Sequence, residues 1–188
     1  MKIIISLSLL LFLSATIFSQ TAWKMAGDKI TTPWASKVDP ANTLSEYPRP
    51  QMVRDNWMNL NGLWQYSILP RSQEALPVSF AGKILVPFAV ESALSGVGKS
   101  VGKDSVLRYK RSHTLPTGYK AGTVLLPFGA VAWLCKVYVD GKPGGTQHGS
   151  YADFTFDITY ALSYKGCQEV TYRVWDHYDE GAEDRGKA

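Results

Sequence analysis

Three histidines, His113, His148 and His177, and a run of acids near the C-terminus, Asp176, Asp179, Glu180, Glu183 and Asp184, are the side chains in this 188-residue chain suited to acid–base or metal chemistry. The histidines are far apart in sequence, and no two stand at the i, i+4 or short-loop separation by which imidazoles share a zinc ion. Calcium needs oxygen ligands, which Asp153, Asp157, Asp176 and Asp179 supply in type. No loop, however, has the Asp-x-Asp-x-Asp spacing that would assign a calcium site. Glycoside hydrolysis needs two carboxylates facing each other across a sugar, about 5–10 Å apart on rigid elements. The C-terminal acids instead crowd a polar tail after the last apolar run and read as a solvated linker. No catalytic residue, metal ligand or cofactor is assigned from these residues.

Two glycine–serine stretches imitate known motifs. ALSGVGKS, Ala93 to Ser100, has alanine where a phosphate-binding loop begins with glycine, and no apolar strand leads directly into it nor any helix out. GKSVG, Gly98 to Gly102, has the spacing of a serine nucleophile elbow but not its strand–turn–helix setting. VYVDGKPGGTQHGSYADFTFDIT, Val137 to Thr159, reads as strand, glycine-rich turn and strand. Asp140-Gly141 tolerates the positive φ of a tight hairpin, and Pro143-Gly144-Gly145 permits the exit. A phosphate cradle would open a helix instead, so this turn reads as scaffold.

The elements that must position any site are short apolar runs bounded by Gly, Pro, Asn and Asp. They predict strands over Leu63 to Leu69, Lys83 to Pro87, Val106 to Leu115, Thr123 to Phe128, Leu134 to Val139, Phe154 to Ile158 and Glu169 to Trp175. The period is two: Phe154, Phe156 and Ile158 share one face against Thr155, Asp157 and Thr159. Val170, Tyr172 and Val174 do the same against Thr171, Arg173 and Trp175. Each strand is thus expected to have one buried and one wet face, as two antiparallel sheets packed face to face require. The fold class read from this pattern is all-β, a jelly-roll β-sandwich. Pro127 has no amide hydrogen to donate, which predicts an edge or a bulge for its strand. Trp64, in phase with Tyr66 and Ile68, and Trp133, in phase with Cys135, are expected to pack in the core or cover a sheet.

Residues 1–19 read as a signal peptide. Lys2 precedes an apolar run broken by Ser6, Ser8, Ser14 and Thr16, and Ser19 is a small residue suited to cleavage. The expected location is secreted or periplasmic, with no membrane association after cleavage. Residues 20–56, interrupted by Pro33, Pro40, Pro48 and Pro50, read as an extended arm over a domain at 57–180, and 181–188 as the start of a linker. The formal charge of +4 is scattered rather than gathered into a basic stripe, so no nucleic-acid partner is expected. Two cysteines allow at most one disulfide, Cys135–Cys167, or a buried free thiol at Cys135. The abundance of aromatics, six tryptophans and ten tyrosines, suits stacking on sugars as well as core packing.

Several strings in order carry a family likeness: EYPRPQMVRDNWMNLNGLWQYSI, LVPFAVESALSGVG, LRYKRSHTLP, VLLPFGAVAWLCKVYVDGK, GTQHGSYADFTFDIT and RVWDHYDEGAEDRGK. From about Trp34 to Lys187 the chain resembles the N-terminal, galactose-binding-like jelly-roll domain of glycoside hydrolase family 2, in its β-galactosidase and β-glucuronidase-like branch. The resemblance implies a non-catalytic carbohydrate-binding or accessory module of an exo-acting, retaining glycosidase. In that family an immunoglobulin-like domain and a TIM barrel bearing the catalytic glutamates follow. Neither is expected within this chain, which alone is expected to be inactive. The implied partners are a β-galactoside or β-glucuronide and those two further domains. A structural interface module without sugar affinity and a stand-alone lectin-like domain are the alternatives.

By the same resemblance, loops of this domain border the active-site mouth, and the matching substrate-binding positions are Glu91 and Ser92 in VPFAVES and Asp176 and Asp179 in RVWDHYDEG. Rim carboxylates there accept hydrogen bonds from sugar hydroxyls and orient rather than cleave. The chain departs from the family pattern at Arg108, where relatives have tryptophan, at His113, usually aromatic, at Ala132, usually acidic, and at Asp140, usually asparagine. The first and third departures remove an expected stacking surface and an expected hydrogen-bond acceptor.

Overall fold

The structure is a computed structural model and describes residues 23–47, 50–116, 119, 122–164 and 166–177. The proposed signal peptide and linker and the candidate Asp179 lie outside the described residues. Eight strands form: β1 (Gly62–Pro70), β2 (Gly82–Val86), β3 (Ser105–Thr114), β4 (Leu125–Phe128), β5 (Leu134–Val139), β6 (Lys142–His148), β7 (Phe154–Asp157) and β8 (Cys167–Trp175). Six of them make one antiparallel sheet in the order β2-β1-β3-β8-β5-β6, and β4 pairs with β7 in a second sheet. Two short 3-10 pieces, Ala35–Lys37 and Pro50–Met52, also form. The expected all-β sandwich is what the chain forms.

The period-two pattern builds the core. In register, Tyr66 pairs Tyr109, Tyr109 pairs Tyr172 and Tyr172 pairs Val137, so one row of side chains crosses the inner face of the large sheet. Trp64 meets Tyr172 edge-on, with centroids 5.0 Å apart, and Tyr109 stacks on Tyr172 at 4.3 Å. Leu126, Phe128, Phe154, Phe156 and Ile158, brought by β4 and β7, close over this row. Pro127 sits in the two-stranded sheet, where each strand has a free edge, as its missing donor requires. Cys135 is a buried free thiol and Cys167 an exposed one, so no disulfide joins them. The arm lies on the domain, with the Trp23 indole N–H donating to Ser95 O at 3.4 Å and Ala26 N to Ala93 O at 2.9 Å.

Two expectations are corrected. The PGG run is not a loop exit: Lys142–His148 is itself a strand, an edge strand in which Pro143 and Gly144-Gly145 fit because one side needs no ladder bonds. Its register slips at Val137/Tyr138, where the extra residue makes a bulge. Gly145 suits the place, since a Cβ there would come within 2.2 Å of the Phe156 ring and force it to shift. The hairpin turn itself forms as read, with φ of 49° at Asp140 and 75° at Gly141. Asp140 does more than tolerate this turn, for its carboxylate accepts the Glu169 amide at 2.7 Å and the Ser163 amide at 3.3 Å.

Nor is the outer face of the large sheet wet along its whole length. Register partners Arg108 and Arg173 are only 2% and 4% exposed. A strap formed by residues 71–80 covers them. Arg108 Nη2 donates to Gln73 O at 3.1 Å and to Glu74 O, and Arg173 Nη2 donates to Arg71 O at 2.6 Å. The alternation still orients the residues correctly, but the strap buries the polar face as well.

Candidate functional site

The described positions among those implied by the family likeness follow two different strands. Glu91 and Ser92 follow β2, which ends at Val86 opposite Gly62, whereas Asp176 follows β8, which ends at Trp175 opposite Leu134. Through β1, β3 and β8 these are opposite ends of the same sheet. Ser92 is absorbed in its own turn: its hydroxyl donates to Ala89 O at 2.7 Å and accepts from Ser95 N at 3.2 Å. Burial first and the Glu91 charge second push the Tyr109 phenol well above its usual range. Ser95, inside the imitation phosphate loop though not at its Gly-Lys-Ser position, is structural. The fully buried Ser95 donates to Val90 O and Ser92 O and accepts from the Val97 amide at 3.0 Å.

The departures resolve by position. The side chain at Arg108 lies beneath the strap, so a tryptophan in that place would face the strap rather than open solvent. His113 is half-buried with Nδ1 unpartnered, and burial together with the Arg111 charge lowers its pKa. On the outer face a shallow groove lies between Phe80 and the sheet residues Gln65, Lys83 and Lys110. Lys110 is already paired with Glu169 there at 2.5 Å.

The end of the sheet that holds Asp176 is different in character. Because Leu134 pairs both His148 and Trp175, the first residue of β5 and the last residues of β6 and β8 are neighbours. Trp133, just before β5, therefore meets two histidines that are remote in sequence. Its ring centroid is 6.4 Å from His148 at 81° and 5.7 Å from His177 at 56°. His177 in turn lies 4.4 Å from Trp175. Trp175 is fixed by its indole N–H donating to Lys103 O at 2.7 Å and by the Arg71 guanidinium 3.7 Å above its ring. Backbone bonds pin the same corner, Trp133 N to Trp175 O at 3.3 Å and Gly149 N to Trp133 O at 2.9 Å.

The result is a ledge of π-systems running from Arg71 through Trp175, His177 and Trp133 to the exposed His148. Among the described residues no side-chain hydrogen bond engages the Trp133 indole N–H or either imidazole, and none of these atoms is both buried and unpartnered. Trp133 and His177 are partly exposed and His148 is exposed. Linear spacing concealed this pair of histidines, and only strand pairing brings them together. No group of residues able to hold a metal ion occurs among the described residues.

No protein-family model matches the chain, and no curated protein matches it. Solved structures do. A Bifidobacterium dentium β-glucuronidase complexed with coumarin-3-O-glucuronide matches with a TM-score of 0.53 at 23% identity, over 66% of this chain and 21% of that one. A β-glucuronidase from Ruminococcus gnavus in complex with C6-substituted uronic isofagomine matches with a TM-score of 0.54 at 19% identity, over 70% of this chain and 23% of that one. A Faecalibacterium prausnitzii β-glucuronidase matches with a TM-score of 0.51 at 23% identity, over 62% and 20%. The fold is thus one found within β-glucuronidases, and the chain spans about a fifth of their length.

Proposed function

We propose that this chain is a non-catalytic accessory domain of a family 2 glycoside hydrolase, secreted or periplasmic, which presents a jelly-roll surface to a β-galactoside or β-glucuronide. The observation that carries the reading is the match of about two thirds of the chain to about a fifth of β-glucuronidases. The glucuronide arm is supported by the coumarin-3-O-glucuronide held by one of those enzymes. Bond cleavage in this reading belongs to residues outside the chain.

The test is calorimetric titration of the purified chain with methyl β-D-glucuronide and methyl β-D-galactoside, alongside a chromogenic β-glucuronide and β-galactoside. Saturable heat with no release of chromophore is expected. Turnover of either chromogenic substrate contradicts the reading.

A second reading, a structural interface module, is favoured by apolar side chains that the arm leaves in solvent, Ile30 at 99% and Trp34 at 68% exposure, with Met52 and Val53 following. A silent titration with an intact fold favours this one.

A further inference from the structure

We propose that the ledge at Trp133 is a saccharide-binding site in which one face of a β-pyranoside lies against the indole, an assignment that rests on the accessory-domain reading above. A β-linked pyranose with mainly equatorial hydroxyls presents axial C–H bonds on its flat faces and hydroxyls at its rim. A matching site needs an aromatic face for the C–H bonds and polar groups around it for the hydroxyls.

Trp133 supplies the face, and the polar groups are the imidazoles on either side of it. A neutral imidazole both donates and accepts, which suits a hydroxyl that does the same. The two rings stand at 81° and 56° to the indole, so neither lies stacked in parallel on it. The Trp133 N–H and both imidazoles make no side-chain hydrogen bond among the described residues. Asp176 adjoins this corner as the residue between Trp175 and His177.

The ledge is also preorganised. Trp175 beneath it is held by Lys103 O and by Arg71, and His177 is wedged between the two tryptophans. Little ordering remains to be done when a sugar arrives. Other aromatic groups do not offer this combination: Trp64, Tyr109 and Tyr172 are consumed in the core, and Trp34 stands alone on the arm.

The test is a titration of the isotopically labelled 188-residue chain with methyl β-D-glucuronide and methyl β-D-galactoside, followed by NMR at the tryptophan indole N–H signals, with Trp133→Phe providing the assignment. The Trp133 signal should move saturably with at least one of the two glycosides. Trp133→Ala and His177→Ala should weaken that binding about tenfold or more, and Trp34→Ala should leave it unchanged. His148→Ala, at an exposed position, should weaken binding without disturbing the fold and covers the case in which Trp133→Ala does not fold. Saturable binding with a motionless Trp133 signal, and with His148→Ala and His177→Ala binding like the parent, overturns the ledge and leaves the accessory reading intact. A folded chain that binds neither glycoside overturns both the ledge and the sugar-binding part of that reading.

Discussion

Arg108 and Arg173 show how position, more than residue type, sets a side chain's role. Two guanidiniums side by side in one sheet repel, and burial disfavours their charge. The Arg108 pKa is accordingly lowered, first by desolvation and then by Arg173. Their offset comes chiefly from strap carbonyls, because the one nearby carboxylate, Glu74, is 3.4 Å from Arg173 and 65% exposed. Removing an arginine therefore strips part-buried carbonyls of their donors, whereas removing the carboxylate loses only a screened pair. Arg173→Ala should cost about 2–3 kcal/mol and Glu74→Gln less than about 1 kcal/mol, read from urea unfolding. The Cys135 thiol behaves in the opposite electrostatic sense: burial pushes its pKa up to about 12. A thiol in the unfolded chain ionises near about 8.5, so the folded value is the raised one. Stability from this group is whole below that pH and declines as pH climbs from there towards 12. Tyr109 and Tyr172, both raised by burial, extend the loss to higher pH. Urea midpoints should fall between about pH 8 and pH 10, and Cys135→Ala should flatten the first part of that fall.

Among the elements, those with clean alternation were legible and those shaped by an edge or a cover were not. β5 begins and ends at Leu134 and Val139 as its pattern implies, and the strands read around Trp64 and Tyr172 form within a few residues of their expected limits. β6 escaped because proline and two glycines are turn residues in a central strand yet permissible at an edge. The buried outer face of β8 escaped for another reason, since a strap more than ninety positions away covers Arg173 and no local pattern announces it. The edge strand depends on Phe156 filling the space above Gly145. Gly145→Ala should consequently cost about 1–3 kcal/mol through overpacking. Thermal or urea unfolding of the variant reads this directly, and an unchanged midpoint would mean that Phe156 moves aside freely.

At the scale of the whole molecule, the fold was readable while the aromatic ledge was not, and the reason is physical. A sandwich follows from faces that each strand declares locally, so Phe154, Phe156 and Ile158 announce their sheet without help. A binding surface follows from which strand ends become neighbours, which pairing decides. Hence His148 and His177 flank one tryptophan although twenty-eight residues intervene. Of the positions taken from family likeness, Ser92 bonds within its own turn. Of that set, Asp176 alone among the described residues borders the aromatic ledge. The most direct test is a crystal structure of the chain soaked with methyl β-D-glucuronide. The account predicts a pyranose ring parallel to the Trp133 indole with hydroxyls on His148 or His177, on a sheet ordered β2-β1-β3-β8-β5-β6. A sugar seated at Glu91 and Ser92 instead, with the Trp133 ledge bare, would contradict it.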